Sequence, residues 1–268
     1  MSFKIGFTTD PPATPTPKTT ASHQDTPVKP SVVTVTFPEH GVSYPYYNDL
    51  FTLSCGDMVF VEGKMAGVQG RVTKVFYSFK IKPSEYRRVI GLADTQVIGE
   101  FHFAGDCILT TDPGALNYSQ VATWFYPPAD KEDFLCGVGE ELFSLDCLNE
   151  IKMPPNILDR GFDYYARGRV AYIELDHGTG LAIVVGTKPY ELEFRYADRM
   201  VSGLVCDCFC TDLCKHEVAL LLQLKETLDG IATQYPFIDA NDYVAVMSKG
   251  VFYEHVMEQQ HTGTFILG

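Results

Sequence analysis

Four cysteines and one histidine crowd into the short segment CDCFCTDLCKH, residues 206–216. Thiolate sulfur and imidazole nitrogen are preferred ligands of zinc, and a structural zinc ion takes four ligands in a tetrahedron. The pattern C-x-C, five residues, then C-x-H can supply all four from one short piece of chain. We therefore predict one zinc ion held by Cys206, Cys208, Cys214 and His216. Four protein ligands leave no position for a catalytic water, which predicts a structural site.

Other interpretations of this segment stay open at the level of sequence. Cys210 lies between the two ligand pairs and could replace Cys208 in the set. The thiols could instead form a metal-free redox cluster, or Cys206 and Cys210 could form a disulfide. In a reducing compartment, crowded cysteines indicate metal binding before cross-linking. The remaining cysteines are scattered, and we interpret them as small buried apolar residues: Cys55, Cys107, Cys136 and Cys147.

Holding four ligands together requires a strand that ends at the first pair and a helix that begins at the second. Residues two apart on a flat strand are too far apart to clamp one ion, so the chain must curl at Asp207 and Cys208. Residues 217–228, EVALLLQLKETL, carry adjoining apolar stripes, which predicts a largely buried helix. Thr211 or Asp212 could cap the start of this helix. Its positive dipole end would face the net negative charge of three thiolates and one Zn²⁺.

A helix and four strands are predicted upstream of the cluster. Residues 156–167 predict a helix that ends at Gly168, because glycine commonly follows the last helical residue. Turns at His177-Gly178 and Lys188-Pro189 separate the strands that follow. We predict these strands at residues 169–176, 181–187, 190–197 and 200–205.

The segment CDCFCTDLCKHEVALLL resembles the SWIM zinc finger, whose pattern is C-x-C, a variable loop and C-x-H. FDYYARGRVAYIEL resembles the lead-in sequence of that family, so the resemblance covers residues 157–228. It implies a β-β-α zinc module with the ligand set given above. The family binds DNA or proteins and often accompanies helicases or transposases. The chain has no GxxxxGK[ST] loop of a helicase.

The N-terminal half is rich in β-branched and aromatic residues with turn signals between them. It predicts strands beginning at Val32 and at residues 57–62, 69–79, 88–92, 95–103 and 106–110, in a small β-barrel-like domain. The residues between the first two strands read as a turn. Glycines at 56, 63, 67 and 70 with alternating valines resemble the KOW motif of SH3-like barrels.

This half also carries the most basic stretch of the chain, with aromatic residues interleaved. Such a surface can bind the phosphates of single-stranded nucleic acid and stack on its bases. The alternative is a solvated barrel face above core aromatics. The candidate nucleic-acid-binding residues are Lys64, Arg71, Lys74, Lys80, Lys82, Arg87 and Arg88.

The fold class predicted from these elements is α+β: a disordered N-terminal tail, a small β-barrel-like domain, and a β-sheet plus helix zinc module. The tail is rich in proline, threonine and serine. A short helix is predicted near 138–150. The predicted boundaries are 1–31 for the tail, 32–125 for the barrel-like domain, 126–156 for the interdomain region, 157–230 for the zinc module and 231–268 for a C-terminal extension.

The composition bounds the function. A net charge of −13 opposes non-specific nucleic-acid binding but permits a local basic patch. No apolar run is long enough to suggest a membrane span or a signal peptide, so we expect a cytoplasmic protein. The sequence favours a non-enzymatic protein that contacts nucleic acid or a nucleoprotein partner, with no small-molecule substrate. The alternatives are a protein–protein adaptor without nucleic-acid affinity, or an enzyme using redox cysteines or catalytic zinc.

Overall fold

The computed structural model describes most of the chain in two compact units, and confirms a mixed fold of two sheets with few helices. The described residues are 28–80, 82–128, 141–151, 154–210 and 212–257, with the backbone alone for 265–267. The predicted N-terminal tail lies almost entirely outside them. Most described residues of the first unit fall within 28–94, and those of the second lie between residue 95 and the C-terminal end, apart from 123–128.

The first unit contains an antiparallel five-stranded sheet. Its strands are β1 (Ser31–Phe37), β2 (Val42–Asn48), β3 (Met58–Val61), β4 (Gly70–Phe76) and β5 (Val89–Leu92). Their order across the sheet is β2-β1-β4-β3-β5. The two outer strands approach each other where the Tyr47 N–H donates to the Arg87 carbonyl at 2.8 Å. This contact brings the two edges of the sheet together at one point, but no closed barrel is found among the described strands.

Alternating apolar residues of these strands form the core of the first unit. On β1, Val33, Val35 and Phe37 are fully buried, because residues two apart on a strand share a face. Gly70 lies against this layer, and a Cβ at that position would come within 2.4 Å of Val35. A larger residue at 70 would therefore displace the core of the sheet.

The second unit contains a nine-stranded sheet. Its strands are β6 (Gly99–Ala104), β7 (Cys107–Thr110), β8 (Leu142–Ser144), β9 (Val170–Asp176), β10 (Thr179–Val185), β11 (Pro189–Ala197), β12 (Met200–Cys206), β13 (Tyr243–Ser248) and β14 (Phe265–Leu267). The order is β14-β6-β7-β13-β9-β10-β11-β12-β8, and every pairing is antiparallel except β14 with β6. Strands β9 to β12 form a meander that leads directly into the cysteine cluster.

The helices are α1 (Tyr118–Phe125), α2 (Pro155–Ala166), α3 (Lys215–Gln234) and α4 (Lys249–Phe252). Helix α3 buries one long face against the nine-stranded sheet, including Leu220, Leu221 and Leu224. Helix α2 packs closely on α3, since a Cβ at Gly161 would lie 2.4 Å from the Val218 side chain. Within the described residues, no helix is both long and apolar enough to cross a membrane.

Three expectations about elements were wrong. The described part of 138–150 is not a regular helix: it forms β8, which pairs with β12, and then a 3₁₀ segment over Leu145–Glu150. The segment after β1, read as a turn, is largely β2. The strands predicted at 95–103 and 106–110 form as β6 and β7, but they belong to the nine-stranded sheet, because β7 pairs with β13 near the end of the chain.

Candidate metal centre

The structure brings Cys206, Cys208, Cys214 and His216 together at the junction of β12 and α3. One potential ligand atom from each residue lies within 4.8 Å of all the others. Cys214 and His216 are buried, and Cys206 and Cys208 are half-buried. Cys210 is exposed and lies outside this group, so of the two sets considered from sequence, the geometry favours the one that contains Cys208.

Asp207 produces the curl that the cysteine spacing requires. Its backbone N–H donates to the Glu191 carbonyl at 3.0 Å, and its carboxylate accepts from the Glu191 N–H at 3.1 Å. The other carboxylate oxygen contacts Lys188 Nζ at 3.1 Å. These bonds tie the backbone between Cys206 and Cys208 to β11, so the chain turns there and both sulfur atoms can face the same point.

The second ligand pair is fixed by the start of α3. The N-cap is Cys214, where the sequence suggested Thr211 or Asp212. Its N–H donates to the Glu217 carboxylate at 2.6 Å, and its sulfur accepts from the third helical N–H in a reciprocal capping box. His216, in the first turn, then points Nδ1 toward the thiols, 3.6 Å from Cys206 Sγ and 3.7 Å from Cys214 Sγ.

The imidazole of His216 is held between two tyrosines. Tyr190 stacks on it with ring centroids 4.0 Å apart, and Tyr164 meets it edge-on at 5.4 Å. Lys188 Nζ and Lys215 Nζ lie over the outer tyrosine faces, at 5.1 and 4.6 Å from the ring centres. Pattern reading missed both tyrosines, because they reach the site from β11 and α2 and their contact with His216 is made only in the folded chain.

The protonation of the cluster without a cation explains what a metal would supply. Burial, with the charges of Lys215, Arg160 and Lys188, lowers the pKa of His216 to about 4, so its imidazole is neutral near pH 7. Burial raises the pKa of Cys208 to about 12. A hydrogen bond with Cys206, followed by burial, raises the pKa of Cys214 far above its usual value. The protein alone therefore disfavours thiolates here, and a bound cation would stabilise them.

The two ring nitrogens of His216 have different surroundings. Among the described residues, His216 Nε2 has no hydrogen-bond partner, although it is buried. Nδ1 has only sulfur neighbours at hydrogen-bonding distance. With Nδ1 close to two of the thiols and Cys208 in the same group, the residues have the donor set of a Cys₃His tetrahedral site. These residues fit one metal ion.

The seven basic residues proposed from sequence are spread over the first unit. Lys64 and Arg87 line one groove beside three tyrosines. Arg88 pairs with Asp49 at 2.6 Å and lies over the Tyr47 ring. Arg71 and Lys74 are on β4, and Lys80 and Lys82 are exposed residues between β4 and β5. Their binding to nucleic acid stays a prediction.

Comparison of the chain with protein-family models, with curated proteins and with solved structures found no match.

Proposed function

We propose that the four clustered residues bind one zinc ion and that the β12–α3 junction is a structural zinc module of the SWIM type. The observation that carries this proposal is the convergence of three sulfurs and one imidazole nitrogen within 4.8 Å. Soft thiolate ligands with one imidazole favour zinc over magnesium, calcium or manganese. With four protein ligands the shell is complete, which supports a structural role and a non-enzymatic protein.

We further propose that this module is an interaction surface for nucleic acid or a nucleoprotein partner. Arg160, Lys188 and Lys215 all lie close enough to His216 to lower its pKa, so three positive charges lie around the metal group. Phe209, at the tip of the cysteine loop, is fully exposed. Cations around the metal group and an exposed aromatic ring on the same cysteine loop are features that can bind phosphates and stack on bases, even in a protein of net negative charge.

Metal analysis tests the zinc proposal. Protein purified without added metal is expected to hold one equivalent of zinc by mass spectrometry, and Co²⁺ exchanged into the site is expected to show the visible absorption of a tetrahedral sulfur-ligated ion. Zinc content that survives substitution of Cys206 and Cys214 by serine would refute the assignment.

A salt-dependent mobility shift with single- and double-stranded DNA and RNA tests the partner proposal. The doubly substituted variant Arg160→Gln/Lys188→Gln is expected to bind at least ten-fold more weakly while keeping its zinc. Lys225→Gln/Lys249→Gln is the matched control that removes the same charge from residues outside both candidate nucleic-acid surfaces. If the wild-type protein binds no nucleic acid even at low salt, the protein–protein adaptor becomes the better function.

A further inference from the structure

The first unit has an open groove of about 560 Å³ where β2 and the segment before β5 diverge. Tyr44, Tyr46 and Tyr86 line it. Tyr44 and Tyr46 are two residues apart on β2 and share the side that faces the core, where Tyr46 is buried. The accessible rings of the groove are therefore those of Tyr44 and of Tyr86, which follows a short 3₁₀ turn; both are half-buried. Tyrosine rings offer flat apolar surface and a hydroxyl that bonds to carbonyl groups, which is the surface that polyproline II helices recognise.

The charges of the groove distinguish between classes of ligand. Lys64 and Arg87 line it, but so do Glu62 and Glu85. Two carboxylates beside two cations give no net attraction for a phosphate chain. A peptide with opposite charges at its two ends fits such a surface better than a nucleic acid does.

An added β-strand is also disfavoured in this groove. The Tyr47 N–H points away from β1, toward Arg87, so by the two-residue alternation of a strand Pro45 also presents its nitrogen to the groove. Proline has no N–H to donate, and an edge strand that carries proline resists pairing with another strand. The groove is therefore better suited to an extended peptide that is recognised through its side chains than to an added strand.

We propose that this groove binds a polyproline II helix and that its occupant is the chain's own segment PPATPTP, residues 11–17. A polyproline II helix has three residues per turn, so Pro12 and Pro15 share one ridge and Pro11 and Pro17 lie on another with Thr14 between them. Asp10 and Lys18 flank the segment with opposite charges. They match the mixed charge of the groove.

The segment is tethered within reach of the groove. Residues 18–27 separate it from the first described residue, Val28, and ten residues can span up to roughly 35 Å. Strand β1 begins at Ser31, opposite Asn48, and Tyr46 is two residues further along β2, or roughly 7 Å. A tether of this length gives a local concentration on the order of millimolar, so a weak contact suffices for docking.

Docking of residues 11–17 predicts protection of the adjacent Lys18–Thr19 bond from trypsin in the full chain. Tyr86→Ala removes one wall of the groove, and Pro12→Ala/Pro15→Ala removes one ridge of the helix. Each variant is expected to raise the initial rate of cleavage at Lys18 at least three-fold. Combining them should give no further increase, because both break the same contact.

Matched controls separate docking from other causes. Phe76→Ala removes an exposed ring of the same unit outside the groove, and Thr19→Ala/Thr20→Ala alters the same tail outside the segment; both are expected to leave protection at Lys18 in place. Free peptides of residues 8–24 with the same substitutions correct for the intrinsic preference of trypsin. Circular dichroism of each variant checks the fold.

Two results would overturn the proposal. Unchanged cleavage in both the groove and the proline variants would mean that the segment does not dock. A response to Tyr86→Ala alone, or loss of RNA binding on Tyr86→Ala without any response to the proline substitutions, would assign the groove to another ligand.

Discussion

The second unit contains two buried polar clusters, each at the start of a helix, and they meet their bonding needs in different ways. At the start of α1, Glu174 accepts from the Tyr118 N–H at 2.7 Å and lies within hydrogen-bonding distance of the Tyr172 and Tyr243 hydroxyls. Both hydroxyls also reach the Leu116 carbonyl. Every polar atom named here has a partner supplied by the chain.

The cluster at the start of α3 is different. Its sulfurs and imidazole face one another, Nε2 of His216 has no partner among the described residues, and the pKa of Cys214 is raised by its neighbours. A metal ion bound by Nδ1 and the three sulfurs would satisfy those four atoms, although it would not give Nε2 a partner. The comparison separates a cluster that completes itself from one whose donor atoms face one another and could hold a metal ion.

Removing the metal should give the largest loss of stability and the clearest difference between the two clusters. Cys208→Ser is expected to lose the zinc equivalent and, like a strong chelator, to lower the stability of the second unit by several kcal/mol, on the order of 5, because metal binding supplies folding free energy. Thermal unfolding with and without chelator measures this. Cys210→Ser is the matched control, expected to retain zinc; the opposite pattern would transfer the ligand role from Cys208 to Cys210.

The next prediction concerns the number of protons that the cysteine cluster releases when zinc binds. The thiols of Cys208 and Cys214 have raised pKa values and must lose protons to bind a cation, and Cys206 must become a thiolate as well. His216, with its pKa lowered to about 4, is already neutral and releases none above pH 6. Zinc affinity should therefore rise with pH, by up to roughly 1,000-fold per pH unit between pH 6 and 7.5.

Calorimetry in buffers of different ionisation enthalpy counts these protons directly. Release of about three protons per zinc would agree with three thiols and a neutral imidazole. A value near four would show that His216 is protonated before binding.

Much of the metal module could be predicted from sequence because its signals are local. The turns at His177-Gly178 and Lys188-Pro189 defined the meander β9 to β12, and the Gly168 stop and apolar stripes defined α2 and α3. Residue type and spacing predicted that Cys206, Cys208, Cys214 and His216 would come together, as they do, but left open whether Cys210 took the place of Cys208. Each of these features depends on neighbours a few positions apart.

The expectations that failed depend on distant partners. Residues 142–144 are a strand because they pair with β12, more than fifty positions away, and nothing in their own pattern reports that pairing. Strand β13 lies in the middle of the sheet, between β7 and β9, although it comes near the end of the chain. The stacking of Tyr190 on His216 likewise exists only after β11 and α3 have packed.

Substitution of Glu174 tests the cluster at the start of α1, whose named polar atoms have partners within the chain. Glu174→Leu leaves two buried tyrosine hydroxyls competing for the Leu116 carbonyl and removes the acceptor of the Tyr118 N–H, which should cost about 2–3 kcal/mol. Glu174→Gln keeps an acceptor oxygen and should cost about half as much. Thermal unfolding measures both, and zinc content should stay at one equivalent. Loss of zinc in the leucine variant would mean that the two clusters are not independent.

The smallest effect is expected for Glu217. Like Glu174, it is a carboxylate that accepts from an N–H at the start of a helix, but it lies beside the cysteine cluster. Glu217 caps the Cys214 N–H at 2.6 Å, and burial raises the pKa of its carboxyl group. Glu217→Ala removes half of the capping box and should cost about 1 kcal/mol, whereas Glu217→Gln retains an acceptor and should cost less. Denaturant unfolding of the zinc-loaded protein measures both values. Zinc should remain bound in each variant, since the other half of the capping box, from the third helical N–H to the Cys214 sulfur, is kept; release of zinc from Glu217→Ala would show that the Glu217 carboxylate positions the ligand.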